Sequence, residues 1–318
     1  MIKHQCRFRY FTEGRHERVR EMLDQKQFLK EYNLEQSFER SRLAWETLQE
    51  IYEDYKKTVY PLMQRLSDSL TTDLEQQKKD ICQKHPEERG ALSDIHVIYG
   101  RAKEPGHVIE KIIRKIGNED SHKYQNINVE NYRDIIRDLI GVRIIVIKKE
   151  GWRAAYDLIC SLFEEFYDNT PKAYVCYGDR RIFDEKSIDV DYTVKGYRSQ
   201  HYVVRYEENY AEIQIRTLAE EVYGEFDHRV RYPYYKDNKF LIRYTNMISR
   251  GIAELDDMIS TCMQLDKDLL DRLDQKFLED SYVDWAKEQG HISEAVIPER
   301  KETVMSGSVE ELIKSKLL

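Results

Sequence analysis

The segment Ala211-Glu212-Ile213-Gln214-Ile215-Arg216-Thr217 alternates polar and apolar residues with a period of two. A strand sends successive side chains to opposite faces, so Ile213 and Ile215 share one face and Glu212, Gln214 and Arg216 the other. The apolar face demands a core to pack on. The polar face carries a carboxylate, an amide and a guanidinium in a row. That set suits a metal ion and phosphates, and it also describes the wet face of an edge strand. The alternation commits this part of the chain to a sheet and leaves the use of the polar face open.

On either side the periodicity is helical. Residues 34–70 read as one long amphipathic helix, with Phe38, Leu48, Ile51, Tyr52 and Tyr55 at helical spacing. A charged stretch over 76–89 leads into Ile95-His96-Val97-Ile98-Tyr99-Gly100. Pro105 then opens a helix, in the first turn where proline is tolerated, and Val108, Ile109, Ile112, Ile113 and Ile116 form its buried side. Residues 138–147, short and rich in Ile and Val, read as a buried strand. A helix over 152–166, strands over 173–177, 200–206 and 211–217, and a helix over 218–230 follow. Beyond Pro233, Leu241, Tyr244, Ile248, Ile252, Leu255, Ile259, Cys262, Leu265, Leu269 and Leu273 recur every three or four residues. Their seam must pack, either on its own domain or on a second copy. The tail from 297 is polar, and Ser308-Val309-Glu310-Glu311 would cap a short last helix. The expected class is α/β (α+β): a helical extension over 1–92, a mixed sheet core flanked by helices over 93–235, and a helical extension with a tail over 236–318.

Only 13 Gly and 6 Pro in 318 residues, with 35% charged residues, fit a helix-rich chain with few long loops. A net charge of −8 argues against nucleic-acid binding by the whole surface and leaves a local basic patch open. The five cysteines form no CxxC pair and no His or Cys pair has zinc-ligand spacing, so reduced thiols are expected. The first residues form no apolar signal segment, and no apolar run approaches the roughly 20 residues of a membrane helix. A cytoplasmic protein without membrane contact is the expectation.

Four segments supply chemistry of matching type. Arg101 and Lys103 precede a helix on which His107, Lys111 and Arg114 lie at i, i+4 and i+7, one stripe of cations suited to a polyphosphate or to solvent. In Asp138-Leu139-Ile140-Gly141-Val142-Arg143 the acid sits where a strand begins and Arg143 interrupts its apolar run. A buried arginine needs a partner, so Arg143 faces a polar cleft or a structural ion pair. In Lys195-Gly196-Tyr197-Arg198-Ser199-Gln200-His201 the glycine permits a tight turn with Tyr197 at its apex, there to pack or to stack on a nucleobase. The fourth segment is the opening strand, followed by Asp227-His228. Asp138 and Glu212 as magnesium ligands, a basic stripe and an aromatic loop together suit phosphoryl transfer. No P-loop and no kinase loop is present.

These motifs, in this order, make residues 95–235 resemble the synthetase domain of RelA/SpoT-type alarmone synthetases, in a small monofunctional form: GRAK at 100–103 with Lys111 and Arg114, DLIGVR at 138–143, GYRSQH at 196–201, EIQIRT at 212–217 and DH at 227–228. The resemblance implies a nucleotidyltransferase-like fold and transfer of the β,γ-pyrophosphate of ATP to the 3′-hydroxyl of GDP or GTP, giving AMP and (p)ppGpp. It implies that Arg101, Lys103, His107, Lys111, Arg114 and Arg143 hold ATP and that Asp138 and Glu212 bind Mg²⁺, with Glu212 assisting deprotonation of the acceptor. Lys195, Tyr197, His201, Gln214 and Arg216 would hold the acceptor, with Tyr197 on its base. Two departures stand out. The run before Tyr197, Asp189-Val190-Asp191-Tyr192-Thr193-Val194-Lys195, is acidic where alarmone-making relatives are basic. Toxic members of the family, which modify the 3′ CCA end of tRNA and are held by an antitoxin, would not need those cations. No histidine is followed by Asp, so the metal pair of the family's hydrolases is missing. The alternatives are therefore a tRNA-modifying toxin and an inactive nucleotide-binding regulator, and the C-terminal helices could build a homo-oligomer.

Overall fold

The computed structural model describes residues 23–116, 122–175, 183, 186–192, 197–231, 235, 238–265 and 272. In chain order its elements are α1 (Gln25–Glu31), α2 (Glu35–Ser41), α3 (Trp45–Asp54), α4 (Tyr60–Lys84), α5 (Arg89–Leu92), β1 (Ile95–Ala102), α6 (Pro105–Ile116), α7 (Tyr132–Ile135), β2 (Ile140–Val146) and α8 (Trp152–Cys160). Then come β3 (Tyr167–Val175), β4 (Asp189–Tyr192), β5 (Ser199–Tyr206), β6 (Asn209–Thr217), α9 (Leu218–Val230) and α10 (Lys239–Gln264). The fold is α/β. Among the described residues the sheet has six strands in the order β1-β2-β6-β5-β3-β4. It is mixed: β2 with β6 and β3 with β4 are parallel, the other pairs antiparallel.

The alternation of β6 divides the sheet into two faces as expected. Ile213 and Ile215 are buried with Ile98, Ile140, Val142, Ile144, Tyr202 and Val204 in one core beneath α4 and α8. Helix α4 lies close on β1. A Cβ on Gly100 would stand 2.6 Å from the backbone oxygen of Ser67, so only glycine lets the two meet. The same core takes in Leu48, Ile51, Tyr55 and Met63 from the N-terminal helices.

Several sequence expectations need correction. The single helix over 34–70 is interrupted at Arg42, whose φ of 54° ends α2 in the left-handed region, and helix resumes at Trp45. From there it runs to Lys84 through a π turn, Tyr55–Val59. Pro61 follows that turn and has no N–H to donate; widening the turn before it removes the clash a proline ring makes with the preceding carbonyls. The helix expected over 152–166 stops at Cys160. Strand β4 was not anticipated, because Asp189, Asp191 and Tyr192 of its four residues face solvent and carry no apolar alternation.

In α10 the apolar seam over 241–262 is not the buried face. Thr245, Ser249, Ala253, Asp256 and Ser260 are buried instead, while Tyr244 and Leu255 are exposed. Leu269, Leu273 and the capping sequence at 308–311 lie outside the described residues. Cys82, Cys160 and Cys262 are free thiols; Cys6 and Cys176 lie outside the described residues. Among the described residues no helix is long and apolar enough to cross a membrane.

Candidate active site

The second face of the sheet carries polar groups in register. Arg101 on β1 pairs with Gly141 on β2, which pairs with Glu212 on β6. One step along, Tyr99, Arg143, Gln214 and His201 lie side by side on β1, β2, β6 and β5. Gly141 presents no side chain between Arg101 and Glu212, which leaves the floor open at that point. Helix α6 forms one wall and α9 the other; the rings of His107 and His228 meet across them, edge to face, at 5.8 Å. The enclosed cleft holds about 270 Å³ and is lined by Arg101, Lys103, His107, Arg114, Asp138, Arg143, Glu212 and Gln214, among others. Asp138 and Glu212 therefore share one cleft although 74 residues separate them in sequence.

Each carboxylate is held by cations or amides of the site. Asp138 Oδ2 accepts from Lys103 Nζ at 2.9 Å, and Lys111 Nζ lies 2.8 Å from Oδ1. Each oxygen of Asp138 thus faces one lysine ammonium. Burial alone would raise the Asp138 carboxyl; Lys103 and Lys111 outweigh it and hold the group far below the usual carboxylate range. Glu212 Oε1 is 3.0 Å from His201 Nδ1, and its Oε2 accepts from Gln214 Nε2 at 2.6 Å. Burial again opposes the charge, and His201 overcomes it, lowering Glu212 to about 2. In turn Tyr197 and Glu212 push the buried His201 up to about 9, so its imidazole is cationic. On α6, burial with the nearby His228, Lys103 and Arg101 lowers His107.

Arg143 resolves the two readings left open for it. It lines the cleft and is also ion-paired: Nη1 donates to Glu221 Oε1, to Glu225 Oε1 at 3.1 Å and to Tyr99 Oη at 3.0 Å. The other Glu221 oxygen accepts from Arg216 Nη1 at 3.0 Å. One carboxylate of α9 thus bridges arginines on β2 and β6.

Tyr197 differs from expectation. It is half-buried, with Tyr174 at 5.9 Å and His201 at 6.1 Å edge-on, and the Arg216 guanidinium 5.1 Å from its ring. Its hydroxyl accepts from Arg216 Nη2 at 2.6 Å and meets His201 Nε2 at 3.0 Å. The ring is not displayed at an apex. Lys195 and Gly196 lie outside the described residues. Asp227 is spent on Arg231, a bidentate pair within α9, while its neighbour His228 lines the cleft.

Glu221, Glu225, Tyr99 and Tyr174 were not singled out from the sequence. Two acids at i, i+4 on one helix repel unless a cation faces them, so the Glu221 and Glu225 spacing in α9 signals a facing cation without saying which, and the structure supplies Arg143. Helix α9 itself is aimed by a capping box, Thr217 with Glu220, which typically contributes about 1 kcal/mol.

Magnesium uses one or two carboxylates and completes its octahedron with water and phosphate oxygens. Among the described residues no group of three or more His, Cys, Asp or Glu forms a protein cage. Two carboxylates lining one cleft, Asp138 and Glu212, fit that smaller requirement.

Residues 100–237 match a family model described as the region found in RelA / SpoT proteins. No curated protein sequence matches the chain. Among solved structures, small alarmone synthetase 1 from Bacillus subtilis bound to its product pppGpp is 19% identical, with a TM-score of 0.45; the match covers 64% of this chain and 93% of that one. Small alarmone synthetase 2 from the same organism is 19% identical at a TM-score of 0.44, covering 67% and 100%. A GTP pyrophosphokinase family protein from Streptococcus pneumoniae is 20% identical at 0.42, covering 68% and 90%. Over residues 100–237 the chain is thus similar to the region found in RelA / SpoT proteins.

Proposed function

We propose that the protein is a Mg²⁺-dependent pyrophosphokinase that transfers the β,γ-pyrophosphate of ATP to the 3′-hydroxyl of GDP or GTP, releasing AMP. One observation carries this reading: Asp138 and Glu212, from distant segments, line a single cleft walled by Arg101, Lys103, Arg114 and Arg143. The family match over this stretch supports it. Transfer of a phosphoryl group demands positioning and charge neutralisation more than covalent help from the protein. Lys103 and Lys111, now on Asp138, are within reach of phosphate oxygens that would compete for them. Arg143 is kept oriented by Glu221. Asp138 and Glu212 would hold Mg²⁺, which supplies neutralisation of the transferring pyrophosphate. Glu212, lowered to about 2, is a weak base; held through both oxygens by His201 and Gln214, it serves as an oriented acceptor for the hydroxyl proton.

A second reading, transfer to the 3′ end of tRNA, is favoured by the charge of β4. Asp191 pairs with Lys172 at 2.7 Å, so the acidic residues of β4 face a cation that a diphosphate at the acceptor's 5′ end would otherwise meet. Incubation with γ-labelled ATP and, separately, GDP, GTP or tRNA tests both. Label on a guanine nucleotide supports the first reading. Label on tRNA alone replaces it with the second, and label on neither rejects both.

A further inference from the structure

Helix α10 turns its polar side inward. Asp256 is wholly buried, whereas Phe240 is 73% and Met247 62% exposed. The most deeply buried stripe of this helix is therefore mostly polar, with the apolar seam beside it half-buried. The backbone N–H of Lys149 donates to Ser260 Oγ at 3.1 Å, and Lys149 pairs with Asp257.

The deepest anchor is Asp256. Its Oδ2 accepts from Arg198 Nη2 at 3.2 Å and from Thr217 Oγ1 at 2.8 Å, while Oδ1 has no hydrogen-bond partner among the described residues. Those two donors occupy particular places. Arg198 follows Tyr197, and Thr217 follows Arg216, so the carboxylate grips the neighbours of both members of the Tyr197–Arg216 contact. Arg216 Nε also donates to Ser199 Oγ at 3.1 Å, which closes the group. Glu220 lies 3.6 Å from Arg198 Nε as well.

We infer that Asp256 is a positioning residue for the acceptor half of the cleft: by fixing Arg198 and Thr217 it sets the Tyr197–Arg216 contact and links α10 to acceptor binding. The inference rests on the proposed function for its kinetic readout and on geometry for the rest. A buried carboxylate with an unfilled oxygen is a poor choice for packing alone, since ionised groups cost stability in such places unless fully paired. Burial, reinforced by Glu220, pushes the Asp256 carboxyl up to about 6 against the pull of Thr217 and Arg198. A side chain retained at that cost is better explained by what it holds.

The test compares Asp256→Asn, Arg198→Gln and the double variant. Acceptor KM is expected to rise roughly threefold to thirtyfold in each single variant, in the range of coupled contact pairs, with ATP KM unchanged; Asp256→Asn should keep its melting temperature at pH 7.5, whereas Arg198→Gln, which leaves the Asp256 charge without its arginine, should lower it. The double variant should be no worse than the more affected single one. Equal shifts in both KM values, no shift in either, or additive effects would overturn the inference. Hydrogen exchange reads the same coupling without turnover. Asp256→Asn should speed exchange over residues 197–203 and leave α6 at the wild-type rate, and unchanged or uniformly faster exchange would refute it. Wild-type protein that transfers pyrophosphate to no acceptor would instead count against the proposed function, and the exchange measurement would still decide the role of Asp256.

Discussion

The two halves of the cleft, which we propose take the donor and the acceptor, are held together in different ways. In the donor half, on β1, β2 and α6, Asp138 is neutralised by Lys103 and Lys111, groups delivered by elements whose patterning is regular. In the acceptor half, on β5, β6 and α9, Glu212, His201, Tyr197 and Arg216 form a chain of contacts that ends on Glu221 and, through neighbouring residues, on Asp256 of α10. The donor half is held largely by its own segments, with Arg143 held by Glu221 and Glu225 of α9. The acceptor half borrows its order from elements that follow it in the chain, and Glu221 joins the two by holding Arg143 and Arg216 on one carboxylate.

Substitutions that treat the halves alike should have the largest effect. Asp138→Asn and Glu212→Gln keep shape and remove one negative charge each, and kcat is expected to fall about 10²–10³-fold in both, the scale of preorganised electrostatic groups. Unaltered circular dichroism would show that the fold holds. Near-normal turnover in either variant would remove that carboxylate from the reaction.

The halves should then separate. Lys111→Ala is expected to weaken ATP binding roughly tenfold or more, since a charge-assisted hydrogen bond contributes about 1.5–3 kcal/mol, while acceptor KM stays put. Titration calorimetry with a non-hydrolysable ATP analogue measures the first quantity, and equal loss on both sides would erase the distinction. Tyr197→Ala should raise acceptor KM roughly fivefold or more, the lower end of base–aromatic stacking. Tyr197→Phe, which keeps the ring and loses the contacts to Arg216 and His201, separates stacking from hydroxyl bonding. A Phe variant as impaired as the Ala variant would assign Tyr197 to the hydrogen-bond network alone.

A further effect concerns stability. Asp256 has a folded-state pKa of about 6 against an ordinary 3.8. Below 3.8 both states carry the proton; between 3.8 and 6 the folded state keeps it and the unfolded state loses it; above 6 both are ionised. Its contribution to stability is thus full at low pH and lost as pH rises through 6. Asn cannot ionise, so the melting temperature of Asp256→Asn should gain on wild type between pH 4 and 6 and then run parallel. A gap that does not change with pH would contradict the raised pKa.

The same contrast governs how much could be read in advance. Helix α6 and its buried isoleucines, the two faces of β6 and the bounds of α9 all follow from periodicity and punctuation, which are local properties. So does the placement of Arg101, Lys103, Lys111 and Arg114 near one another. The break at Arg42 has no glycine or proline to announce it. Strand β4 has no apolar alternation, and the half-burial of Tyr197 depends on Tyr174 and Arg216, which pairing across β3, β5 and β6 brings near. The inverted burial of α10 is illegible for the same reason: Thr245, Ser249 and Asp256 look like a solvated stripe until Arg198 and Thr217 are placed beneath Asp256. Long-range polar pairing leaves no period in a sequence.

Pyrophosphoryl transfer is tested most directly by the fate of ATP in the presence of an acceptor. Chromatography of a reaction containing Mg²⁺, ATP and GDP or GTP should show AMP rising one-for-one with an acceptor that has gained two phosphates, and neither product without Mg²⁺. ADP with inorganic phosphate, or AMP formed at the same rate without any acceptor, would contradict it.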